Sequence, residues 1–204
     1  MVFSDAAPKD ADTLYLEMYY PTRFWAQMTD EALYFTKRIL ALKDNDVGAL
    51  AYFYDMVAPL LASDFTVTVV PPHTANLNPR ASAHRSVALL AARLAAAQGK
   101  NRLNGTACLV RHTSVGELKY GGCRDVNIHI NSIRVENTEL VQGKDVLLLD
   151  DVMTTGNSRD ACERLLKNTG ARCVKSIVMA KTATSIPPEL RRVYPPVYPR
   201  GDRY

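Results

Sequence analysis

The stretch from Val146 to Ser158 constrains the fold of this chain more than any other part of the sequence. It reads Val-Leu-Leu-Leu-Asp-Asp-Val-Met-Thr-Thr-Gly-Asn-Ser and is followed by an amphipathic segment. Its apolar run is too short for a helix. Continuous apolar runs of this length are typical of parallel strands, because both faces of such strands are covered. The stretch therefore predicts a buried parallel strand, a turn and the start of a helix.

The polar run after this strand predicts an anion site. Backbone N–H groups and hydroxyls at a helix N-terminus favour an anion, because the donors there are unpaired and the positive end of the helix dipole lies there. The residues that would present them are Thr154, Thr155, Gly156, Asn157 and Ser158. Asp150 and Asp151 would repel a phosphate, but they suit the vicinal hydroxyls of a ribose. The whole run therefore fits a ribose 5-phosphate.

At these residues the sequence resembles the 5-phosphoribosyl 1-pyrophosphate (PRPP) motif of the type I phosphoribosyltransferases. The competing interpretation is an ordinary buried strand that ends in a solvated acidic turn, as in response regulators or Walker B segments. Neither of these contexts accounts for Thr-Thr-Gly-Asn-Ser followed at once by a helix, so the motif interpretation is favoured.

Composition sets broad limits. The chain has 204 residues, of which 47% are hydrophobic and 23% are charged, as expected for one soluble globular domain. No apolar run approaches membrane-spanning length, and the first ten residues are too polar for a signal peptide, so we expect a cytoplasmic protein without a membrane partner.

The net charge of +4 is compatible with phosphorylated ligands, and it leaves open whether the protein binds nucleic acid. The four cysteines form no C-x-x-C pair, so reduced thiols are expected and zinc is not.

The pattern along the chain predicts an α/β fold with a doubly wound parallel sheet. Strands are predicted at 65–70, 106–111, 146–151 and 173–180, with helices at 82–97 and 159–168 and a loop at 112–127. This alternation is typical of right-handed crossovers in a parallel sheet. A short alternating segment at 126–135 is predicted to form an excursion hairpin.

The ends of the chain are predicted to differ from this core. Residues 1–62 are expected to be an aromatic-rich helical region packed on the core, with loose residues up to about 12 and helices from Asp30 and Asp46; a helix in the aromatic stretch itself is left open. In the second helix, Leu50, Tyr54 and Val57 are expected to share one face. Residues 63–185 would form the phosphoribosyltransferase-like core. The Pro-, Tyr- and Arg-rich tail, 186–204, is expected to be an extended strap or disordered.

The resemblance implies two further parts of a site. A pyrophosphate loop is expected at Pro72, His73 and Thr74, with Arg80 or Arg85 as charge partner, although His73 is equally consistent with a surface loop. The segment 111–127 resembles the flexible loop that closes over PRPP in this family. Its catalytic cations would be Arg111, Lys119 and Arg124, which as single residues are also consistent with solvated surface charges.

Within the family, the sequence resembles the ComF-like branch and the phosphoribosyl half of glutamine amidophosphoribosyltransferases. The matching pieces are Leu42-Lys43, Val70-Pro71, Arg111-x-Thr113, Arg124-x-x-Asn127, Gly143-Lys144 and the complete motif. It departs from the branch in lacking a zinc ribbon, in Ser82–Ser86 and in Gly116.

The resemblance implies transfer of the 5-phosphoribosyl group to a small nitrogenous acceptor with release of pyrophosphate. Mg²⁺ would be held mainly through PRPP, near Asp150 and Asp151, without a protein cage. A homodimer is left open as a partner arrangement. The alternative function is a non-catalytic PRPP or nucleotide sensor, or a ComF-like accessory of DNA uptake.

Overall fold

The computed structural model describes residues 1–8, 11–75, 85–115 and 125–192. The centre of the molecule is a five-stranded sheet in the order β1-β7-β6-β2-β3, and every pairing in it is parallel. The strands are β1 Thr13–Tyr19, β2 Phe65–Val69, β3 Arg102–Asn104, β6 Asp145–Met153 and β7 Cys173–Thr182. The predicted parallel α/β sheet is confirmed.

Helices cover both faces of this sheet. They are α1 Tyr34–Lys43, α2 Val47–Val57, α3 Arg85–Ala95, α4 Val126–Ser132 and α5 Asn157–Asn168. The alternation of side chains along the fully buried strand β6 separates two cores. Leu147 and Leu149 belong to the core formed with α1, α2 and α3, whereas Val146 and Leu148 belong to the core formed with α5. The sheet is therefore doubly wound, as predicted.

The N-terminal region adds a strand to the predicted helices. The aromatic stretch, for which a helix was left open, forms β1 and then a 3-10 helix at Thr22–Gln27. The expectation of a loose N-terminus is wrong for residues 1–8, because Val2, Phe3 and Ala7 are buried and Phe3 pairs with Leu61. Apolar side chains there cover the core, and this outweighs the polarity of their neighbours.

The two predicted N-terminal helices are present with altered details. The Asp46 side chain caps α2 by accepting from the N–H of Ala49 at 2.7 Å. The fully buried face of α2 consists of Ala49, Phe53 and Val57, whereas Leu50 and Tyr54 are partly buried and pack against the same core. Each of these two lies one position from a buried residue and is only partly covered.

The prediction of one core strand at 106–111 is wrong. The sheet ends with β3, while β4, Leu109–Arg111, leaves it and pairs antiparallel with β5, Ile133–Val135. The predicted hairpin at 126–135 is also wrong, because most of it is α4, which Asp125 caps through the N–H of Asn127 at 2.9 Å. In so short a segment, packing of α4 against α5 decides the conformation.

The start of the C-terminal tail is packed. Ile186 is buried, a 3-10 helix follows at Pro188–Leu190, and Arg191 pairs with Met28; residues 193–204 lie outside the described residues. In the part of the chain that the structure describes, no helix combines the length and hydropathy needed to cross a membrane.

Candidate functional site

The carboxyl ends of β2 and β6 lie side by side and bring two predicted site segments together. Val69 is in register with Leu149, and the N–H of Val70 donates to the Leu149 carbonyl at 2.9 Å. The chain therefore leaves β2 towards Pro72 at the edge where β6 presents Asp150 and Asp151. In doubly wound sheets this edge is where ligands bind.

Asp150 and Asp151 form a buried acidic pair, 8% and 7% exposed. Oδ1 of Asp150 accepts from the N–H of Asp151 at 2.9 Å, and Oδ1 of Asp151 accepts from the N–H of Val152 at 2.6 Å. Burial, followed by the charge of Asp151, raises the pKa of Asp150 well above its usual value. A cation or a hydroxyl donor placed at the pair would relieve this cost.

Lys43 is a residue of this site that sequence reasoning did not assign to it. It ends α1, and its Nζ lies 3.1 Å from Oδ2 of Asp151. The Leu42-Lys43 pair was noted as a family match, but a contact between residues more than 100 positions apart has no local signal. Lys43 supplies a cation next to the acidic pair, from a half-exposed side chain.

The predicted phosphate turn joins β6 to α5. Gly156 has φ +88° at the N-cap of α5, and a Cβ there would lie 3.1 Å from Sδ of Met153. Both observations favour glycine at this position. Thr154 and Thr155 are exposed, and α5 begins at Asn157, so its first N–H groups face this turn. The Thr154 hydroxyl lies 3.1 Å from that of Thr182.

The predicted pyrophosphate loop contacts the segment that follows β4. The N–H of Val115 donates to the His73 carbonyl at 2.9 Å, and the N–H of Ala75 donates to Oγ of Ser114 at 2.8 Å. Thr74 is exposed next to them. The predicted charge partners, Arg80 and the side chain of Arg85, lie outside what the structure describes.

Arg111 lies inside the protein, although the sequence resemblance placed it at the start of a closing loop. It ends β4 and is 2% exposed. Its Nε donates to the Pro72 carbonyl, its Nη1 donates to Oγ of Ser132, and its Nη2 lies 3.5 Å from Nδ1 of His129. Burial lowers the pKa of its guanidinium. Lys119 and Arg124 lie outside the described residues.

His129 is a second residue of this region that the sequence did not reveal. It is 5% exposed on α4, and Oγ of Ser158 lies 3.3 Å from its Nδ1. Its ring centroid is 6.2 Å from that of His73. Burial, then Arg111, then His73 lower the pKa of His129. The alternating pattern around it predicted a strand, which concealed its position against α5.

The donor atoms at the edge suit Mg²⁺ only in part. Carboxylate oxygens of Asp150 and Asp151 are hard ligands of the kind Mg²⁺ prefers. Among the described residues, no group of three or more His, Cys, Asp or Glu side chains is arranged to hold a metal. A magnesium ion would therefore fit here with one or two carboxylates and the phosphates of a bound substrate.

The sequence was compared with models of known protein families and with curated proteins. A family model described as "Phosphoribosyl transferase domain" matches residues 86–194, just over half of the chain. No curated protein matches the chain significantly in sequence.

The chain is also similar to three solved structures. A hypoxanthine phosphoribosyltransferase from Staphylococcus aureus is 12% identical, with a TM-score of 0.34, and the match covers 74% of this chain and 69% of that one. A purine phosphoribosyltransferase from Pyrococcus horikoshii Ot3 is 16% identical, with a TM-score of 0.34 and coverages of 87% and 84%. A phosphoribosylpyrophosphate synthetase from Mycobacterium smegmatis is 21% identical, with a TM-score of 0.36; the match covers 72% of this chain and 35% of that one.

Proposed function

The chain belongs to the phosphoribosyl transferase domain family, and from this premise we propose that it transfers the 5-phosphoribosyl group of PRPP to a small nitrogenous acceptor and releases pyrophosphate. The observation that carries the proposal is the placement of the buried acidic pair and the phosphate turn beside the loop that follows β2. These segments offer groups for a ribose, its 5-phosphate and a pyrophosphate at one edge of the sheet.

Each segment has a proposed role in binding. The turn 154–158 binds the 5-phosphate through backbone N–H groups and hydroxyls. Asp150 and Asp151 accept from the ribose hydroxyls. Pro72, His73 and Thr74 face the pyrophosphate, and Lys119 and Arg124 close over it from the loop that resembles the family's lid.

The proposed chemistry needs charge stabilisation rather than a strong nucleophile. The bond from C1 of the ribose to the pyrophosphate oxygen breaks as the acceptor nitrogen approaches C1, so positive charge develops on the sugar and negative charge on the leaving group. The carboxylates of Asp150 and Asp151 stabilise the positive charge, and Lys43 lies beside them to balance the pair when no ligand is bound. Mg²⁺, when bound, would neutralise pyrophosphate charge.

The transferase activity and the class of acceptor are tested together by pyrophosphate release. The protein is incubated with PRPP, Mg²⁺ and, one at a time, purine bases, pyrimidine bases, ammonia and simple amines. PRPP-dependent release that requires one class of acceptor supports the transferase. Tight PRPP binding without release across the panel would instead favour the sensor and overturn the transferase.

PRPP with Mg²⁺ is expected to raise the melting temperature. A ligand at 100 times its Kd that binds only the native state stabilises by about 2.7 kcal/mol. For a chain of this size, that corresponds to a rise of roughly 5–10 °C. The measurement is a thermal unfolding scan, with glucose 6-phosphate and Mg²⁺ as the matched control. An unchanged melting temperature at millimolar PRPP would contradict the proposed site.

A further inference from the structure

A series of partly and fully buried polar contacts connects the loop after β2 with the first turn of α5. It runs from the Pro72 carbonyl through Arg111 to His129 and from there to Ser158. Ser132 supports it from α4, because its Oγ accepts from Arg111 and donates to the His129 carbonyl at 3.1 Å. We call this set of residues, Pro72, Arg111, His129, Ser132 and Ser158, the buried bridge.

The donors and acceptors in the buried bridge fix its protonation. Arginine can only donate, so the 3.5 Å contact of its Nη2 with Nδ1 of His129 favours a neutral ring that carries its proton on Nε2. Oγ of Ser158 lies 3.3 Å from Nδ1 and 3.5 Å from Nε2, so its hydroxyl contacts the edge of the ring between the two nitrogens.

The bridge joins elements that are far apart in sequence. Pro72 follows β2, Arg111 ends β4, His129 and Ser132 lie on α4, and Ser158 lies in the first turn of α5. The guanidinium makes three contacts at nearly complete burial, so it cannot turn outward without leaving polar partners unpaired. The buried bridge therefore links the loop at 72–74 to the turn at 154–158 in addition to the pairing of β2 with β6.

We propose that His129 and Arg111 are positioning residues that hold the pyrophosphate loop and the phosphate turn at the separation required by one ligand spanning both. This inference rests on the proposed function. It implies that Arg111 acts through the Pro72 carbonyl rather than by touching pyrophosphate. It also separates a spanning ligand, PRPP, from ligands that occupy one segment, ribose 5-phosphate and pyrophosphate.

The test compares the affinities of these three ligands in His129→Leu by calorimetry with Mg²⁺ present. PRPP affinity is expected to fall about tenfold, because its two ends no longer meet prearranged partners. Ribose 5-phosphate and pyrophosphate are each expected to lose no more than about threefold, since either segment can adjust to a single group. In steady state, the KM for PRPP should rise more than kcat falls.

Two further variants make the comparison specific. His129→Asn keeps an acceptor near the position of Nδ1 and should restore PRPP affinity to within about threefold of the parent. Asn131→Leu, at an exposed position of the same helix, is the matched control and should bind all three ligands like the parent. If His129→Leu does not fold, Ser132→Ala, which removes one acceptor of Arg111, carries the same comparison with a smaller expected loss.

The bridge also predicts a pH dependence that His129→Asn lacks. The charged and titratable groups that face His129 are Arg111 from β4 and His73 from the loop after β2, with the Cys162 thiol of α5 interacting with Arg111. Burial, Arg111 and His73 each lower the pKa of His129 and so favour a neutral ring at neutral pH. On acidification the ring gains a proton at Nδ1 and can no longer accept from Arg111. Below about pH 6 the parent should therefore lose PRPP affinity more steeply than His129→Asn, which shares the titration of the ligand's own phosphates.

The outcomes distinguish this inference from the proposed function. Equal losses for all three ligands, or no loss, in a variant that folds would overturn the bridge, even if PRPP-dependent transfer is observed. The same pH profile in the parent and in His129→Asn would also overturn it. Failure of the parent to bind PRPP at all would overturn both the bridge and the proposed function.

Discussion

Asp151→Asn is expected to lower kcat/KM for PRPP-dependent pyrophosphate release by about 100-fold while the protein stays folded. The carboxylate of Asp151 lies buried at the carboxyl edge of β6, where it would meet the ribose and the positive charge that develops on it. Losing one preorganised electrostatic contact of this kind typically costs 10²–10³-fold. The measurement is initial-rate kinetics with the acceptor found in the panel, together with PRPP titration calorimetry.

Asp150→Asn is expected to raise the stability of the fold while weakening PRPP binding. Asparagine keeps the oxygen that accepts from the N–H of Asp151 but removes one of two adjacent buried carboxylates. The pKa of Asp150 is raised, so its charged form is disfavoured in the folded protein. Above its usual pKa the unfolded chain therefore binds fewer protons than the native state, and stability falls as pH rises towards the raised value. Near pH 8 we expect Asp150→Asn to have a higher melting temperature than the parent and to bind PRPP more weakly.

Asp145→Asn is the control for both variants. Asp145 is also buried in β6, but at the amino end, where Arg172 lowers its pKa to about 2 by donating a hydrogen bond. Its replacement should reduce stability and leave kcat/KM unchanged at temperatures where the variant is folded. If Asp150→Asn and Asp151→Asn bound and turned over PRPP like the parent, the ribose assignment would be wrong.

Arg102→Met is expected to destabilise the fold by about 3 kcal/mol or more, because it removes the donor of three carbonyls. Arg102 is 8% exposed at the start of β3, and its guanidinium donates to the carbonyls of Leu61, Ala62 and Leu94 at 2.6–3.2 Å. It also lies over the ring of Phe65, 5.0 Å from the centroid. Methionine would fill the space but leave three carbonyls without their donor, each at a cost of about 1–3 kcal/mol if buried.

Chemical denaturation measures this effect, and Arg134→Met is the matched control. Arg134 is exposed on β5, where it pairs with Glu136 at 2.7 Å, and such surface pairs contribute about 0–1 kcal/mol. Arg102 lies at the amino edge of the sheet, away from the acidic pair, so its replacement should not change the KM for PRPP below the melting transition. A loss of stability no larger than that of Arg134→Met would show that the carbonyls are satisfied in another way.

The sequence by itself determined the elements that carry strong local signals. The apolar run of β6 and the helical spacing of α5 identified a strand, a turn and a helix. Glu163 and Lys167, four positions apart on α5, form an ion pair with an N–O distance of 2.7 Å. These signals are reliable because a strand buried on both faces and a long amphipathic helix each allow few other conformations. Since parallel strands present their carboxyl ends at one edge, they also implied a ligand site at that edge, whereas the adjacency of β2 and β6 follows from the sheet order alone.

Tertiary structure alone decided the remaining features. The segments that became β1, β3 and α4 are short or have patterns compatible with more than one conformation, so the partner they pack against selects one. The contacts of Lys43 with Asp151, of Arg111 with Pro72 and of His129 with Ser158 join positions 29 or more residues apart. Local sequence does not predict such pairings. They depend on the order of the strands in the sheet and on which charges become buried, and both are properties of the whole fold.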